Sequence, residues 1–383
     1  MDRRHFLQAT LAAGAASALP TAFAADPLKV AVMIPQSGPG GLFGPSCKAC
    51  AEMAATALNA RGGVLGRKIE LLYGDAGLAP AEAGQAALKL WKGQKAGAVI
   101  GMHDSAVRGA LVGLFKGQVP YFYTPVYEGG ECAKGTYVKG ETPQQQLEPV
   151  IPWLAAERKP TKWYMIGNDY IWGRNTNVTA RAYIEKTGAK VVGDEYLPFT
   201  VDNFDASLAR IRDSGADAVL VSLVGGASVT FNKSFASFGL SDKAIRLGTL
   251  IEENTLAGIG FANARNLYSS SGYFANIDTP AAKAFAADYA KANGANAPAL
   301  NGLAESTYEG FLMLEALAKK AGSLEPAKLD AASEGTTYSG PRGAVTVKAR
   351  HVEQDIYVAD VTDKGFRVVK TFPKVGAGQT CKV

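Results

Sequence analysis

The sequence predicts an α/β protein of two parallel-sheet lobes with a cleft between them. Three observations carry that expectation. Apolar strands alternate with helical stretches from Leu28 onward, the alternation breaks at Glu141-Thr142-Pro143 and restarts, and the chain is too long for one ordinary core. Of its 383 residues, 359 follow a leader of 24, which makes two domains the default.

The leader is not expected to belong to the fold. Arg3 and Arg4 precede Phe6-Leu7, and an alanine-rich apolar run then reaches Ala22-Phe23-Ala24. A charged start, a short apolar stretch and an A-x-A site are the pattern of an export signal, cleaved here before Ala25. The paired arginines resemble a twin-arginine signal. The apolar run is too short for a membrane span, no later stretch approaches one, and no cysteine stands at the cleavage site to carry a lipid. The expected product is a soluble, exported protein.

The first lobe begins with an apolar strand at 29–34, the loop QSGPGGLFGPS, and a helix running through Leu58. A strand at 68–73, a helix at 79–95, a strand at 98–100 and a helix at 106–115 follow. The stretch YFYTPVYEGG at 121–130 is the most informative. Its aromatic start suits a half-buried strand at 121–123, and Pro125 with Gly129-Gly130 ends regular structure. Four aromatics beside Thr124 and Glu128 make either a core strand with a polar turn or a pocket wall. In parallel sheets ligands bind beyond the carboxyl ends of strands, and Ser37, Ser105 and Thr124 fall at three such ends.

After Pro143 the expected elements are a helix at 144–158, a strand at 163–166, the loop GNDYIWGRN and a helix at 177–187. Then come a strand at 190–196, a helix at 204–214, a strand at 218–223 and a helix at 229–238. Strands at 248–251 and 267–271, helices at 280–293 and 304–321, and a hairpin-rich tail close the chain. Tyr170 and Trp172, Gly225, and Glu252 with Glu253 follow three of these strands, where a facing cleft wall would be, or else are ordinary loop residues, the better reading for Glu253. Aromatic faces would pack a solute body there, while hydroxyls and backbone donors fix its polarity.

Composition excludes several classes. Hydrophobic residues make up 47% and charged residues 20%, as in a well-packed globular protein. The formal charge is +5, one unit of it in the leader, and no basic run interleaved with aromatics suggests nucleic acid. Only His103 and His351 follow the leader, and there is a single C-x-x-C, Cys47 to Cys50, so no zinc set is expected and no cofactor is implied. Without a thioredoxin-like setting, that pair reads as a helix-start disulfide or as two buried thiols. A bond between Cys132 and Cys381 would staple the C-terminal tail to the loop after Glu128.

Two catalytic readings are weighed. His103-Asp104-Ser105 has the composition of a triad, but adjacent side chains diverge and no G-x-S-x-G turn surrounds the serine. Ser105 reads better as the cap of the helix beginning at Ala106, with its hydroxyl offered to a ligand at the helix end. His103 stands beside it, either lining the pocket or solvated on the loop. The loop from Gly38 to Gly44 contains G-x-G-x-x-x-G, which raises a nicotinamide-dependent oxidoreductase. Pro39 and Pro45 remove N–H groups a pyrophosphate needs, and the spacing is one residue too long.

Several motifs then carry a resemblance over nearly the whole chain after the leader: GGVLGRKIELLYGDAG at 62–77, IGMHDSAVRGAL at 100–111, YTPVYEGGEC at 123–132, GETPQQQ at 140–146, IGNDYIWGRNTN at 166–177 and LVGG at 223–226. The chain resembles type I periplasmic solute-binding proteins of the branched-chain amino acid, amide and urea class. Tyr127-Glu128-Gly129 and the Asp169-Tyr170 loop resemble the amide and urea branch most. The resemblance implies two Rossmann-like lobes joined by three hinge crossings, with 25–141 plus 273–345 forming lobe one and 142–272 plus 346–383 lobe two. It implies a ligand held by His103, Ser105, Tyr123, Thr124 and Pro125 from lobe one, and by Tyr170, Trp172 and Gly225 from lobe two. Glu252 is added from the residue reading. The implied role is the periplasmic receptor of an ABC importer, binding a small amide, urea-like or amino acid solute without altering it and docking on a membrane permease. The sequence departs from the amide and urea pattern at His103, where an aromatic residue is usual, and in the order Thr124-Pro125, which leaves room for a larger or charged solute. A ligand-sensing regulator shares this fold, but an export signal removes the chain from the cytoplasm.

Overall fold

The computed structural model of the protein describes residues 26–378 and Cys381; the expected leader lies outside the described residues. The first sheet contains β1 (Leu28–Ile34), β2 (Ile69–Asp75), β3 (Ala98–Gly101), β4 (Tyr121–Tyr123) and β5 (Thr136–Val138), all parallel, in the order β2-β1-β3-β4-β5. β1 reads LKVAVMI and is buried on both faces, as a central strand covered by helices on each side requires. The connecting helices are α1 (Gly44–Ala60), α2 (Pro80–Leu88) and α3 (Ser105–Phe115).

The chain then crosses to the second sheet through α4 (Pro143–Leu147) and α5 (Val150–Arg158). One continuous helix was expected here. Pro149 lacks the N–H that a continuing turn needs, and its ring crowds the preceding carbonyl, so the helix breaks. β6 (Lys162–Asn168), β7 (Lys190–Leu197), β8 (Ala218–Ser222), β9 (Ile245–Gly248) and β10 (Leu267–Ser271) form a parallel run in the order β10-β9-β8-β6-β7. Their crossovers are α6 (Ile171–Lys186), α7 (Asp205–Ser214), α8 (Gly225–Ser237) and α9 (Glu253–Ile259). α10 (Pro280–Asn293), α11 (Gly302–Ala321) and α12 (Pro326–Ser333) return to the first lobe, where α11 lies along α1.

The tail is β11 (Thr337–Gly340), β12 (Gly343–Lys348), β13 (His351–Thr362) and β14 (Gly365–Val375), all antiparallel to their neighbours. β13 joins the lobes within one strand. Residues 351–353 pair with β12, beside the first lobe, and residues 357–360 pair with β10 in the second.

Three boundaries are shifted from expectation. α6 and α8 start a turn or more early, because the glycines that suggested loops sit inside the first helical turns. The strand expected at 248–251 is β9, set earlier by its register with β8, in which Ala218 faces Ile245. β5, α9 and α12 were not anticipated. Cys132 and Cys381 form a disulfide, with Cα atoms 5.3 Å apart, while Cys47 and Cys50 are buried free thiols inside α1. Burial pushes the Cys47 thiol up to about 12, which makes it inert rather than redox-active.

Candidate functional site

The parallel strands of both lobes end at a shared cleft holding a cavity of about 340 Å³. Lobe one supplies Pro35, Pro39 and Phe43 after β1, Leu78 after β2, Met102, His103 and Ser105 after β3, and Tyr123, Pro125 and Val126 at the end of β4. Lobe two supplies Tyr170 after β6, Phe199 after β7, Val224 after β8 and Leu250 after β9, with Leu303 of α11 completing the wall. The surface is mostly proline, aliphatic and aromatic carbon.

The lobes touch across the cleft. Gly225 has φ +55°, and a Cβ there would lie 2.3 Å from the Pro39 carbonyl oxygen. Only glycine combines that backbone region with that approach. Asn254 Nδ2 also donates to the Leu42 carbonyl at 3.4 Å. The structure is therefore a closed one, with the cavity held between its halves.

The polar groups of lobe one form an ordered network. Asp104 caps α3, accepting from the backbone N–H of Ala106 and Val107 at 2.8 and 2.9 Å. That corrects the expectation for Ser105, which is instead the first residue of the helix. Ser105 Oγ donates to Glu128 Oε2 at 2.5 Å. Arg108 holds the other oxygen of Glu128, also pairs with Glu131, and lies over the rings of Tyr123 and Tyr127 at 5.5 and 4.9 Å. Tyr123 donates its hydroxyl proton to the His103 carbonyl at 2.8 Å.

His103 is buried. Its Nδ1 lies 3.1 Å from the Asp104 carbonyl, which can only accept, so Nδ1 carries the proton. Nε2 then accepts from the Tyr121 hydroxyl at 2.9 Å. Burial pushes the imidazole down to about 4, so the ring is neutral at pH 7. Ser105 and His103 thus point at different partners, and the triad composition assembles no nucleophile–base pair.

Of the nine positions singled out in the sequence, His103, Ser105, Tyr123, Pro125 and Tyr170 lie in the cavity wall. The other four do not. Thr124 is fully buried behind it, its hydroxyl 3.3 Å from the Gly101 carbonyl. Trp172 turns inward from the first turn of α6 and packs on Tyr170, ring centroids 5.9 Å apart. Gly225 forms the contact between lobes just described. Glu252 caps α9, accepting from Asn254 and Thr255 N–H at 2.7 Å each. Sequence reading missed the rest of the wall, with Met102, Val126, Phe199, Leu250 and Leu303 among its members. The first four were findable as residues just beyond strand ends, whereas Leu303 enters from a helix distant in the chain and carries no local signal.

Comparison with known proteins places this arrangement. Residues 27–366 match a family model described as periplasmic binding protein, and residues 1–20 match the twin-arginine translocation signal. A Leu/Ile/Val-binding protein homolog 6 from Brucella melitensis is 28% identical over 371 residues, covering 92% of this chain and 93% of that one. A solute-binding protein of an ABC transporter from Rhodopseudomonas palustris, solved with p-hydroxybenzoic acid, is 25% identical with a TM-score of 0.83, covering 92% of this chain and 99% of the other. A Brucella ovis protein binding leucine, isoleucine, valine, threonine and alanine, in its closed conformation, shares the fold at a TM-score of 0.81 and 20% identity, covering 91% and 95%.

Proposed function

The chain belongs to the periplasmic binding protein family, and on that premise we propose that it captures a small, flat, apolar-bodied acid or amide and delivers it unaltered to the membrane permease of an ABC importer. The twin-arginine signal sends it to the periplasm, and among the described residues no helix is long and apolar enough to cross a membrane. The observation that carries the reading is the cavity of about 340 Å³, walled by both lobes and lined mainly by carbon. It lies at the small end of the range for ligand sites.

Size and charge select among the solutes the sequence suggested. Urea or acetamide has too few atoms to fill this space. An amino acid brings an ammonium group that wants a carboxylate. Two of the three acidic side chains near the cavity are committed elsewhere, Glu128 to Arg108 and Ser105 and Glu252 to α9, and Asp104 gives one oxygen to helix N–H groups. A flat apolar body suits the rings of Tyr123, Tyr170 and Phe199. The p-hydroxybenzoic acid held by the Rhodopseudomonas protein is a solute of that kind.

We assign residues 25–141 and 273–345 to lobe one and 142–272 and 346–383 to lobe two, with helices at the cleft rims forming the permease contact. Closure follows from differential affinity: a solute touching both walls favours the closed state and so shifts the population. Calorimetry and thermal shift against 4-hydroxybenzoate, benzoate, benzamide, urea, acetamide and leucine test the reading. An aromatic acid or amide is expected to bind at micromolar affinity or better and raise the melting temperature. Preference for urea, acetamide or leucine would contradict the solute class. No response to any of them would contradict the reading as a whole.

A further inference from the structure

We propose that the Cys132–Cys381 disulfide is a latch set after export: the chain folds and crosses the membrane as the dithiol, and oxidation in the periplasm then locks the loop that follows β4. The latch stands whichever solute binds. The path of the tail carries it. β14 belongs to the second sheet through β13 and β10. Beyond β14 the chain runs over α4, the helix at which it first crosses between the sheets. There the Val375 carbonyl accepts from Gln145 Nε2 at 2.8 Å and the Ala377 carbonyl from the Thr142 hydroxyl at 3.0 Å. Cys381 then bonds to Cys132, in the loop between β4 and β5 of the first sheet. The bond is thus a fourth link between the two sheets, closed by side chains rather than by the run of the backbone.

The fold stands without this link, and the loop leans on it. Without the disulfide the tail keeps its two hydrogen bonds to α4, and the pairs Arg342–Glu141 and Lys139–Glu309 still tie the crossings. The loop from Val126 to Lys134 forms no strand or helix. Its Tyr127, Glu131 and Ala133 N–H groups bond to the Glu141 carbonyl at 3.0 Å, the Tyr127 hydroxyl at 3.3 Å and Glu131 Oε1 at 2.8 Å, and Arg350 holds the Cys132 carbonyl. Yet it carries Val126 of the cavity wall and the two carboxylates, Glu128 and Glu131, that hold Arg108. Cys132 is exposed, so a thiol reaches the bond from solvent, whereas Cys47 and Cys50 are buried inside α1. Residues 1–20 match the twin-arginine signal, a route for chains folded in the cytoplasm, where thiols stay reduced. The order is therefore folding, export, oxidation. In the dithiol the Cys381 S–H has an acceptor in place, the Glu131 carbonyl 3.0 Å from its sulfur. The Cys132 thiolate then attacks the disulfide of a periplasmic thiol–disulfide oxidoreductase, giving a mixed disulfide and releasing one of that enzyme's sulfurs. The Cys381 thiolate attacks the Cys132 sulfur and releases the second. The two electrons and two protons given up by the cysteines leave with the oxidoreductase as its dithiol.

The test compares the full mature chain, oxidised and reduced, with the double variant Cys132→Ser, Cys381→Ser, by thiol counting, circular dichroism and hydrogen exchange. Under native conditions a reductant is expected to open two of the four cysteines to a maleimide while the far-ultraviolet spectrum stays unchanged. The amides of Tyr127, Glu131 and Ala133 are expected to exchange about tenfold faster in the reduced chain and in the double variant, while those of β1 do not change. In cells, thiol trapping is expected to find Cys132 free in the full chain with its leader and bonded in the periplasmic form. Loss of fold on reduction would overturn the inference, because the chain could then not fold before export. So would a bond formed before export, a free Cys132 in the periplasm, or loop exchange that oxidation leaves unchanged.

Discussion

His103 uses both ring nitrogens inside its own lobe, and His351 also has both of its ring nitrogens engaged. His351 Nδ1 lies 2.8 Å from the Ala349 carbonyl, and Nε2 faces the Tyr127 hydroxyl. In each case a carbonyl fixes the proton on Nδ1 and a tyrosine donates to Nε2. Burial pushes both imidazoles down to about 4, below the ordinary 6.5. The sign follows: below pH 6.5 the unfolded chain takes up protons that the folded chain refuses, so these groups cost stability as pH falls from about 6.5 to 4. Nitrogen NMR is expected to show both rings as neutral Nδ1–H tautomers from pH 8 to about 5. A ring at Nε2–H, or one titrating near 6.5, would contradict the assignment. The same scale explains the Trp172 result. Its indole sits in the first turn of α6, where the helical register turns it into the core, and its Nε1 has no partner among the described residues.

At the scale of elements, the decisive contact is the start of α8 against the loop after β1. Gly225 places its backbone where a Cβ would lie 2.3 Å from the Pro39 oxygen, so the helix end and the loop can meet only if residue 225 has no side chain. Gly225→Ala is expected to weaken solute binding by about tenfold or more, because the added methyl and the positive φ both oppose closure. Its melting temperature without solute is expected to fall by only a few degrees, since about 1–2 kcal/mol of backbone strain is local. Unchanged affinity, measured by calorimetry, would remove this contact from the closing motion. Much of the element order was legible, because apolar runs such as that of β1 are long and bounded by turn residues. Helix starts were not. The run GNDYIWGRN carries two glycines and two asparagines, the marks of a loop, yet residue 173 lies in α6, and it is glycine because a Cβ there would meet the Asn168 carbonyl oxygen at 2.3 Å. Packing decided that register. Glu252, read as a cleft carboxylate, is a helix cap, because the helix it starts went unrecognised.

The whole molecule is organised by the three passages between its sheets, near residues 139–142, 272 and 349–354. A buried ionic cluster stands there. Arg342 Nη1 donates to Glu141 Oε1 at 2.8 Å and Nε to Glu305 Oε2 at 3.0 Å, while Lys139 meets Glu309 at 3.1 Å and Gln354 at 3.0 Å. Glu141 also accepts from the Gly272 N–H at 2.8 Å, so one carboxylate ties two crossings to the arginine. Burial raises Glu305 to about 8. Burial works the same way on Glu309, but Lys139 and Arg342 outweigh it and hold that group below its ordinary value. Two cations, Lys139 and Arg342, thus stand among three carboxyl groups, Glu141, Glu305 and Glu309. Such a cluster resists rearrangement, because separating any member strands a buried charge. The cluster thereby fixes the base from which the three crossings run. The sequence supplied the crossings only through the family resemblance, since Lys139, Glu141, Glu305 and Arg342 come from separate stretches with no local pattern linking them.

Small-angle scattering on the mature chain, with and without a solute shown by calorimetry to bind, tests the central claim most directly. Two lobes closing on an unreacted guest predict a smaller radius of gyration at saturation, with the solute recovered chemically intact after denaturation. Identical scattering curves in the two states, or a solute recovered altered, would contradict it.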